Sequence, residues 1–380
     1  MARLGDICEV LNGYAFKSEK YTSSGVRIIR IANVQKGYIE DTAPAFYPID
    51  TTDIEKYTLY EDDLLISLTG NVGRVALLKK EFLPAALNQR VACLRLKDSA
   101  QYDKSFLYCF LNSDYFENKC IQSAKGVAQK NMSTEWLKEY QIPNLSLVEQ
   151  KEIAAVLNKI SELISARTMQ LSKMDKFVTS RFIEMFGAIS EEVPLSYYIG
   201  GLNAGKSLAG EEENPNKVLK TGAVTYDYFD ETQIKNLPID YEPQENHRVK
   251  AGDVIISRMN TAELVGAAAY VWDVPEHIYL PDRVWRAEIK ETANPIFVWQ
   301  VLIQSSTKES IRRIASGTSG SMKNISKPGL LGIRVVKAPI ELQLQFAAFV
   351  EQVDKSKLAI RQSLEKLETL KKALMQQYFG

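Results

Sequence analysis

Two stretches, Leu147 to Phe186 and Ile340 to Phe379, carry neither Pro nor Gly and place residues of one face at alternating spacings of three and four. That spacing predicts long α-helices with a coiled-coil seam. In the first, the seam positions are Leu157, Ile160, Ile164, Arg167, Leu171, Met174, Val178, Arg181 and Met185; in the second, Val350, Val353, Lys357, Ile360, Leu364, Leu367, Lys371, Leu374 and Tyr378. The charged members fall at different layers. Arg167 and Arg181 correspond to Ile360 and Leu374, while Lys357 and Lys371 correspond to Ile164 and Val178. Each helix therefore offers an apolar surface over which the other's basic stem can lie with its charge at the edge, and the two are expected to pair as an intramolecular antiparallel coiled coil. The rest of the chain reads differently. Short β-rich runs (Val26 to Ile31, Val218 to Lys220, Asp253 to Ser257) alternate with Gly, Asn and Pro turns, and one helix is expected over Lys104 to Cys120, matched by one over Ile296 to Ile314. The expected fold class is α+β, with globules at residues 1–145 and 188–338 and long helices at 146–187 and 339–380.

The chain is one unit written twice. Asp63-Leu64-Leu65-Ile66-Ser67 recurs as Asp253-Val254-Ile255-Ile256-Ser257, an offset of 190. From Val72-Gly73 against Val265-Gly266 the offset is 193, and it stays 193 for Arg90-Val91 against Arg283-Val284 and for Lys130-Asn131 against Lys323-Asn324. Three residues were inserted once. The same offset carries Phe186-Gly187 onto Phe379-Gly380, so each half is expected to be a complete module.

Composition narrows the class. The 380 residues include 47 basic and 47 acidic side chains, two histidines and four cysteines, and 45% are hydrophobic, as in folded globular chains. Zero net charge argues against general polyanion binding and permits local basic surfaces. No apolar run reaches the roughly 20 residues that span a bilayer, and Met1 to Asp6 opens no signal-peptide pattern, so a cytoplasmic location is expected. Cys8, Cys93, Cys109 and Cys120 form no C-x-x-C pair, and His247 and His277 lie far downstream, which disfavours structural zinc and disulfides. No metal or cofactor is expected.

Three catalytic patterns fail on context. Gly200 to Ser207 fits the letters of a phosphate-binding G-x-x-x-x-G-K-S loop, but Leu208 to Pro215 is acidic and too short for the helix such a loop must open. Asp282 with Glu288 and Lys290 matches a metal-dependent nuclease in letters only, because in one extended strand the carboxylates stand roughly 20 Å apart at about 3.3 Å per residue. Asn294-Pro295-Ile296-Phe297 lacks the second proline of an aminomethyltransferase motif and reads as a helix start.

Two α+β modules, each ending in a long helix of near-identical pattern, resemble the specificity subunit of Type I restriction-modification systems. The resemblance covers the whole chain. It rests on Glu61 to Gly70 and Ala251 to Arg258, on Gly70-Asn71-Val72-Gly73-Arg74-Val75-Ala76, and on Asn88-Gln89-Arg90-Val91. It continues through Lys130-Asn131-Met132-Ser133 and Lys323-Asn324-Ile325-Ser326 to Ile142-Pro143 and Glu149-Gln150-Lys151-Glu152-Ile153-Ala154. The second copy departs at Ala338 to Gln343, where the Glu-Gln pair becomes Leu342-Gln343. The resemblance implies two target recognition domains that each read one half of a split, asymmetric double-stranded DNA site. It also implies helices that set the spacing, and catalysis supplied by two adenine methyltransferase (M) subunits and by ATP-driven restriction and translocase (R) subunits. The chain itself would not be an enzyme. DNA contact is expected from polar and basic residues in turn-rich segments shared by the modules: Thr69, Asn71, Arg74, Asn88, Gln89, Arg90, Lys125, Gln129, Lys130 and Asn131, then Arg258, Asn260, Thr261, Arg283, Arg286, Ser321, Lys323 and Asn324. Arg90 and Arg283 occupy corresponding places in modules that would read different sequences, which suits phosphate contact or internal bracing better than base reading. The rival reading is a coiled-coil scaffold whose globules bind peptides or proteins.

Overall fold

The structure is a computed structural model and describes residues 1–49, 52–97, 102–124, 130–317 and 322–380. Its contacts divide it into two units, Met1–Thr168 with Arg361–Gly380, and Met169–Ile360.

The first unit is built on an antiparallel sheet in the strand order Cys8–Asn12, Val91–Leu96, Leu64–Ser67, Val75–Leu77. A second sheet follows Phe46–Tyr47, Val26–Ile29, Ala85–Leu87, Thr58–Leu59, with a parallel pairing at Ile28 and Ala86. The second unit repeats both frames. Its antiparallel sheet runs Ile199–Asn203, Val284–Ile289, Val254–Ser257, Ala268–Tyr270, and its other sheet again has a parallel pair, Val218 with Tyr279. Register is preserved: Cys93 faces Leu65 in one sheet and Arg286 faces Ile255 in the other, as the two repeat offsets require. The central strands Leu64–Ser67 and Val254–Ser257 are buried at every position, which explains their unbroken apolar runs.

Each expected mid-module helix is two helices. In the first unit Lys104–Leu111 and Asp114–Ser123 are separated where buried Ser113 takes an N-cap position, its Oγ accepting from Phe116 N at 3.1 Å and donating to Phe110 O at 2.6 Å. In the second, Pro295–Ile303 and Ser305–Ile314 are separated at Gln304, whose backbone is extended. A serine inside an amphipathic run offers the backbone a competing partner that periodicity does not register.

The long helices run Leu147–Phe186 and Ile340–Phe379. Ser146 and Glu149 form a capping box at the start of the first: Glu149 Oε2 accepts from Ser146 N at 2.9 Å and Ser146 Oγ from Glu149 N at 3.3 Å. Each unit takes one end of both helices into its core, in opposite chain directions. In the first unit, Ala154 and Leu157 pack in one cluster with Phe379, whose ring lies 5.7 Å from Phe106 and 5.3 Å from Phe110. In the second, Phe182 and Phe186 join Phe346, Ala347 and Val350, and the Phe186 ring lies 5.0 Å from Phe297 and 5.5 Å from Phe346. Phe186 and Phe379 are repeat equivalents, each closing the core around the opposite helix's start. All eighteen seam positions are buried or half-buried. Within the second unit, the Lys357 ammonium pairs with Asp175 of the other helix, and Arg181 lies 6.0 Å from the Phe349 ring while bonding Glu184 at 2.8 Å.

A buried glutamine ties each helix start to its globule. Gln150 donates to Leu145 O at 2.8 Å and accepts from Asp103 N at 2.8 Å; Gln343 donates to Ala338 O at 2.8 Å and accepts from Asn294 N at 2.9 Å. Both are at most 1% exposed. The glutamine of the Glu-Gln pair is thus structural, and the glutamate caps its own helix.

Candidate nucleic-acid interface

In the first unit three turn segments, distant in sequence, are stitched together beyond the end of the strand Leu64–Ser67. Leu68 N donates to Arg90 O at 3.0 Å, Gly70 N to Lys130 O at 3.0 Å, and Met132 N to Leu68 O at 2.8 Å, with Thr69 and Asn131 in a bridge. Gly70 and Gly73 have φ of 71° and 87°, the left-handed conformations that let this turn fold back. The junction gathers Thr69, Asn71, Arg74, Asn88, Gln89, Arg90, Lys130 and Asn131. Asn71, Gln89, Arg90, Lys130 and Asn131 are exposed, and Thr69, Arg74 and Asn88 half-buried. Arg74 is held by Gln35, whose Oε1 accepts from its Nη1. Asn88 Oδ1 accepts from Arg90 N at 3.4 Å.

The second unit builds the same junction with the same backbone bonds. Arg258 N donates to Arg283 O at 2.9 Å and Ile325 N to Arg258 O at 3.1 Å, while Met259 and Asn260 pair with Asn324 and Lys323. The three-residue insertion between the repeat registers falls in this turn, between Ser257 and Gly266. Arg258, Asn260, Thr261, Arg283, Lys323 and Asn324 lie here. Arg258 Nε donates to Asn324 Oδ1 at 3.1 Å, and its guanidinium sits 5.8 Å from the centre of the Trp285 ring. Lys323 Nζ donates to Gly317 O at 2.8 Å and lines a shallow depression with Glu263 and Arg312. Arg286 does not join them. Its Nη groups donate to Arg248 O at 3.0 Å and Asn246 O at 2.7 Å, and Asp253 stands 3.7 Å away, so it braces the sheet. Lys125, Gln129 and Ser321 lie outside the described residues.

Sequence reading missed Gln35, Trp285 and Arg312. Gln35 reaches Arg74 from 39 positions away and Trp285 stands behind Arg258 from a neighbouring strand, so periodicity carries no signal for either contact.

The Gly-Lys-Ser stretch has the wrong geometry for a phosphate loop. Gly200 to Asn203 belong to a strand paired with Val284–Ile289, Gly205 N donates to Pro281 O, Ser207 Oγ bonds Asp282, and no helix follows before the strand at Lys217. Asn294 caps a helix with Pro295 in its first turn, its Oδ1 accepting from Ile296 N at 2.9 Å. Among the described residues no three His, Cys, Asp or Glu side chains form a metal-binding group, and no helix is long and apolar enough to cross a membrane. All four cysteines are unpaired and buried; burial pushes the Cys8 thiol up to about 12 and Cys109 up to about 11, away from reactivity.

Residues 1–173 match the family described as Type I restriction modification DNA specificity domain. The chain is 38% identical over 168 residues to the Type I restriction enzyme EcoAI specificity subunit of Escherichia coli, a stretch covering 43% of this chain and 28% of that protein. It is 30% identical over 183 residues to the MjaVIII specificity subunit of Methanocaldococcus jannaschii, covering 46% of this chain and 42% of that one. The chain thus aligns with less than half the length of either relative. Among solved structures, the Type I restriction-modification S subunit from M. genitalium shares the fold with a TM-score of 0.61 at 17% identity, over 100% of this chain and 95% of that one. The family match thus lies on residues 1–173, and the second unit repeats the same sheets, registers and junction bonds.

Proposed function

We propose that the chain is the DNA-recognition subunit of a Type I restriction-modification complex, each unit reading one half of a bipartite, asymmetric double-stranded site. The observation that carries this is the junction. Identical backbone bonds present a cluster of Arg, Lys, Asn, Gln and Thr in both units, yet the side chains and the turn length differ, as two readers of different half-sites require. Two methyltransferase subunits and the restriction subunits, which carry adenine methylation and ATP-dependent cleavage, complete the complex in the cytoplasm, and this chain contributes no catalysis. Supporting a docked partner, Val156 and Leu163 are exposed seven residues apart on the first long helix, beside the seam. The test is binding of the chain, assembled with its methyltransferase partner, to a randomised duplex library at two salt concentrations. A consensus of two short motifs at fixed spacing, with affinity falling steeply between 50 and 200 mM salt, is the expected result. Binding without sequence preference, or to peptides in place of DNA, would overturn the reading.

A further inference from the structure

We infer that Arg258 is the base-reading arginine of the second unit and that the base pair it selects is G·C; this rests on the DNA-recognition reading above. Four arginines stand at or beside the junction, and their surroundings separate them; Arg312 is exposed and donates from Nη2 to Glu263 O at 3.3 Å. Arg286 has its guanidinium committed to Asn246 O, Arg248 O and Asp253. Arg283 is exposed and recurs as Arg90 in the first unit, so a contact through it is common to both half-sites and carries no difference between them. Arg258 is different in both respects.

Its equivalent in the first unit is Leu68, which makes the same two backbone bonds and is buried. The backbone position belongs to the scaffold, and the arginine side chain belongs to this unit alone. That side chain is half-buried and pre-positioned. Asn324 Oδ1 accepts from Nε at 3.1 Å, and the guanidinium lies within cation–π range of Trp285, itself 2% exposed. Among the described residues, Nη1 and Nη2 have no protein partner. A brace through Nε that leaves both terminal nitrogens open orients the edge that pairs with guanine O6 and N7, and lowers the side-chain entropy lost on doing so. Lysine has the charge without the edge. The same edge could also grip a phosphate, but a backbone contact is common to any sequence and is open to the exposed Arg283, whose counterpart is Arg90, whereas the side chain at Arg258 belongs to this unit alone.

The experiment compares Arg258→Lys, Arg258→Gln and Arg283→Ala in the assembled complex with its methyltransferase partner, read by selection from a randomised duplex library. In the lysine variant, one position of one half-site should lose its preference for G·C by about tenfold or more, with the other half-site and the affinity for unrelated duplex unchanged. In the glutamine variant the same position should turn toward A·T. Arg283→Ala should weaken binding to all sequences alike and lower the salt slope by about one. If the wild-type complex is sequence-specific and both Arg258 variants keep its consensus, or lose affinity for every duplex equally, the inference is overturned and the DNA reading stands. A wild-type complex without sequence preference removes both.

Discussion

Lys36 in the first unit and Asp227 in the second stand at adjacent repeat positions and anchor equivalent turns with opposite charge. Lys36 Nζ lies 2.6 Å from both Asp114 and Glu117 on the helix Asp114–Ser123, whereas Asp227 receives Lys308 from the helix Ser305–Ile314 at 2.5 Å. The settings differ as well as the signs. Lys36 and Asp114 are 39% and 72% exposed, while Lys308 is 10% exposed and also donates to Gly266 O at 3.3 Å. Burial drives the Lys308 pKa down, with Asp227 opposing it; at Lys36 burial also pushes down, but the hydrogen bonds and negative charges of Asp114 and Glu117 together raise it. A second pair repeats the theme. Asp63 is held by Arg95 at 2.6 and 2.8 Å, and its equivalent Asp253 by Arg286, two strand positions out of repeat register. The backbone frame was kept while the ion pairs that pin the loops were written separately in each copy, so loops cannot be exchanged between units without their partners.

The largest effect should come from breaking what the units share. Gln150→Leu and Gln343→Leu each orphan a half-buried N–H and a carbonyl, and at about 1–3 kcal/mol per fully buried unsatisfied group each should cost about 2–3 kcal/mol, measured by urea denaturation. Similar losses for the two variants support a common tie, and a neutral Gln343→Leu would break the equivalence.

Next comes the contrast between the charge ties. Lys308→Met leaves the Asp227 carboxylate facing a desolvated pocket and should cost about 2–3 kcal/mol, while Lys36→Met removes a solvent-screened pair and should cost under about 1 kcal/mol. Equal losses in the same denaturation experiment would mean that burial does not distinguish the two.

The smallest effect is at Glu149, whose second-copy counterpart is Leu342. Hydrogen bonds from Ser146 hold the Glu149 carboxyl below its usual value. A depressed folded pKa adds stability above the unfolded value of about 4.3 that is lost as pH falls through the folded value. The melting-temperature advantage of the native chain over Glu149→Leu should therefore shrink as pH drops below about 4.3. An advantage independent of pH would show that the cap works through packing alone.

How much of this was legible varies with the range of the interaction. The offset of 190 before Ser67 and 193 after Gly73 located the variable turn, and that turn is where the junction forms. The two long helices were legible because their pattern is local and repeats every few residues. The break at Ser113 was not, because an N-cap serine and a mid-helix serine look alike until the next turn's direction is known. Arg286 and Arg258 were indistinguishable as letters in loop-rich neighbourhoods. One faces backbone carbonyls from residues 246 and 248, the other an indole and an asparagine from residues 285 and 324.

Periodicity and self-similarity pointed to the α+β class, the duplication and the two long helices, because those depend on which residues recur along the chain. Tertiary structure alone decided that Phe186 and Phe379 each close the core around the opposite helix's start, and which guanidinium groups are spent on the frame. Such contacts join residues tens to hundreds of positions apart. Their strength depends on desolvation and on angles between groups, quantities that come into existence only when the chain has brought the partners together.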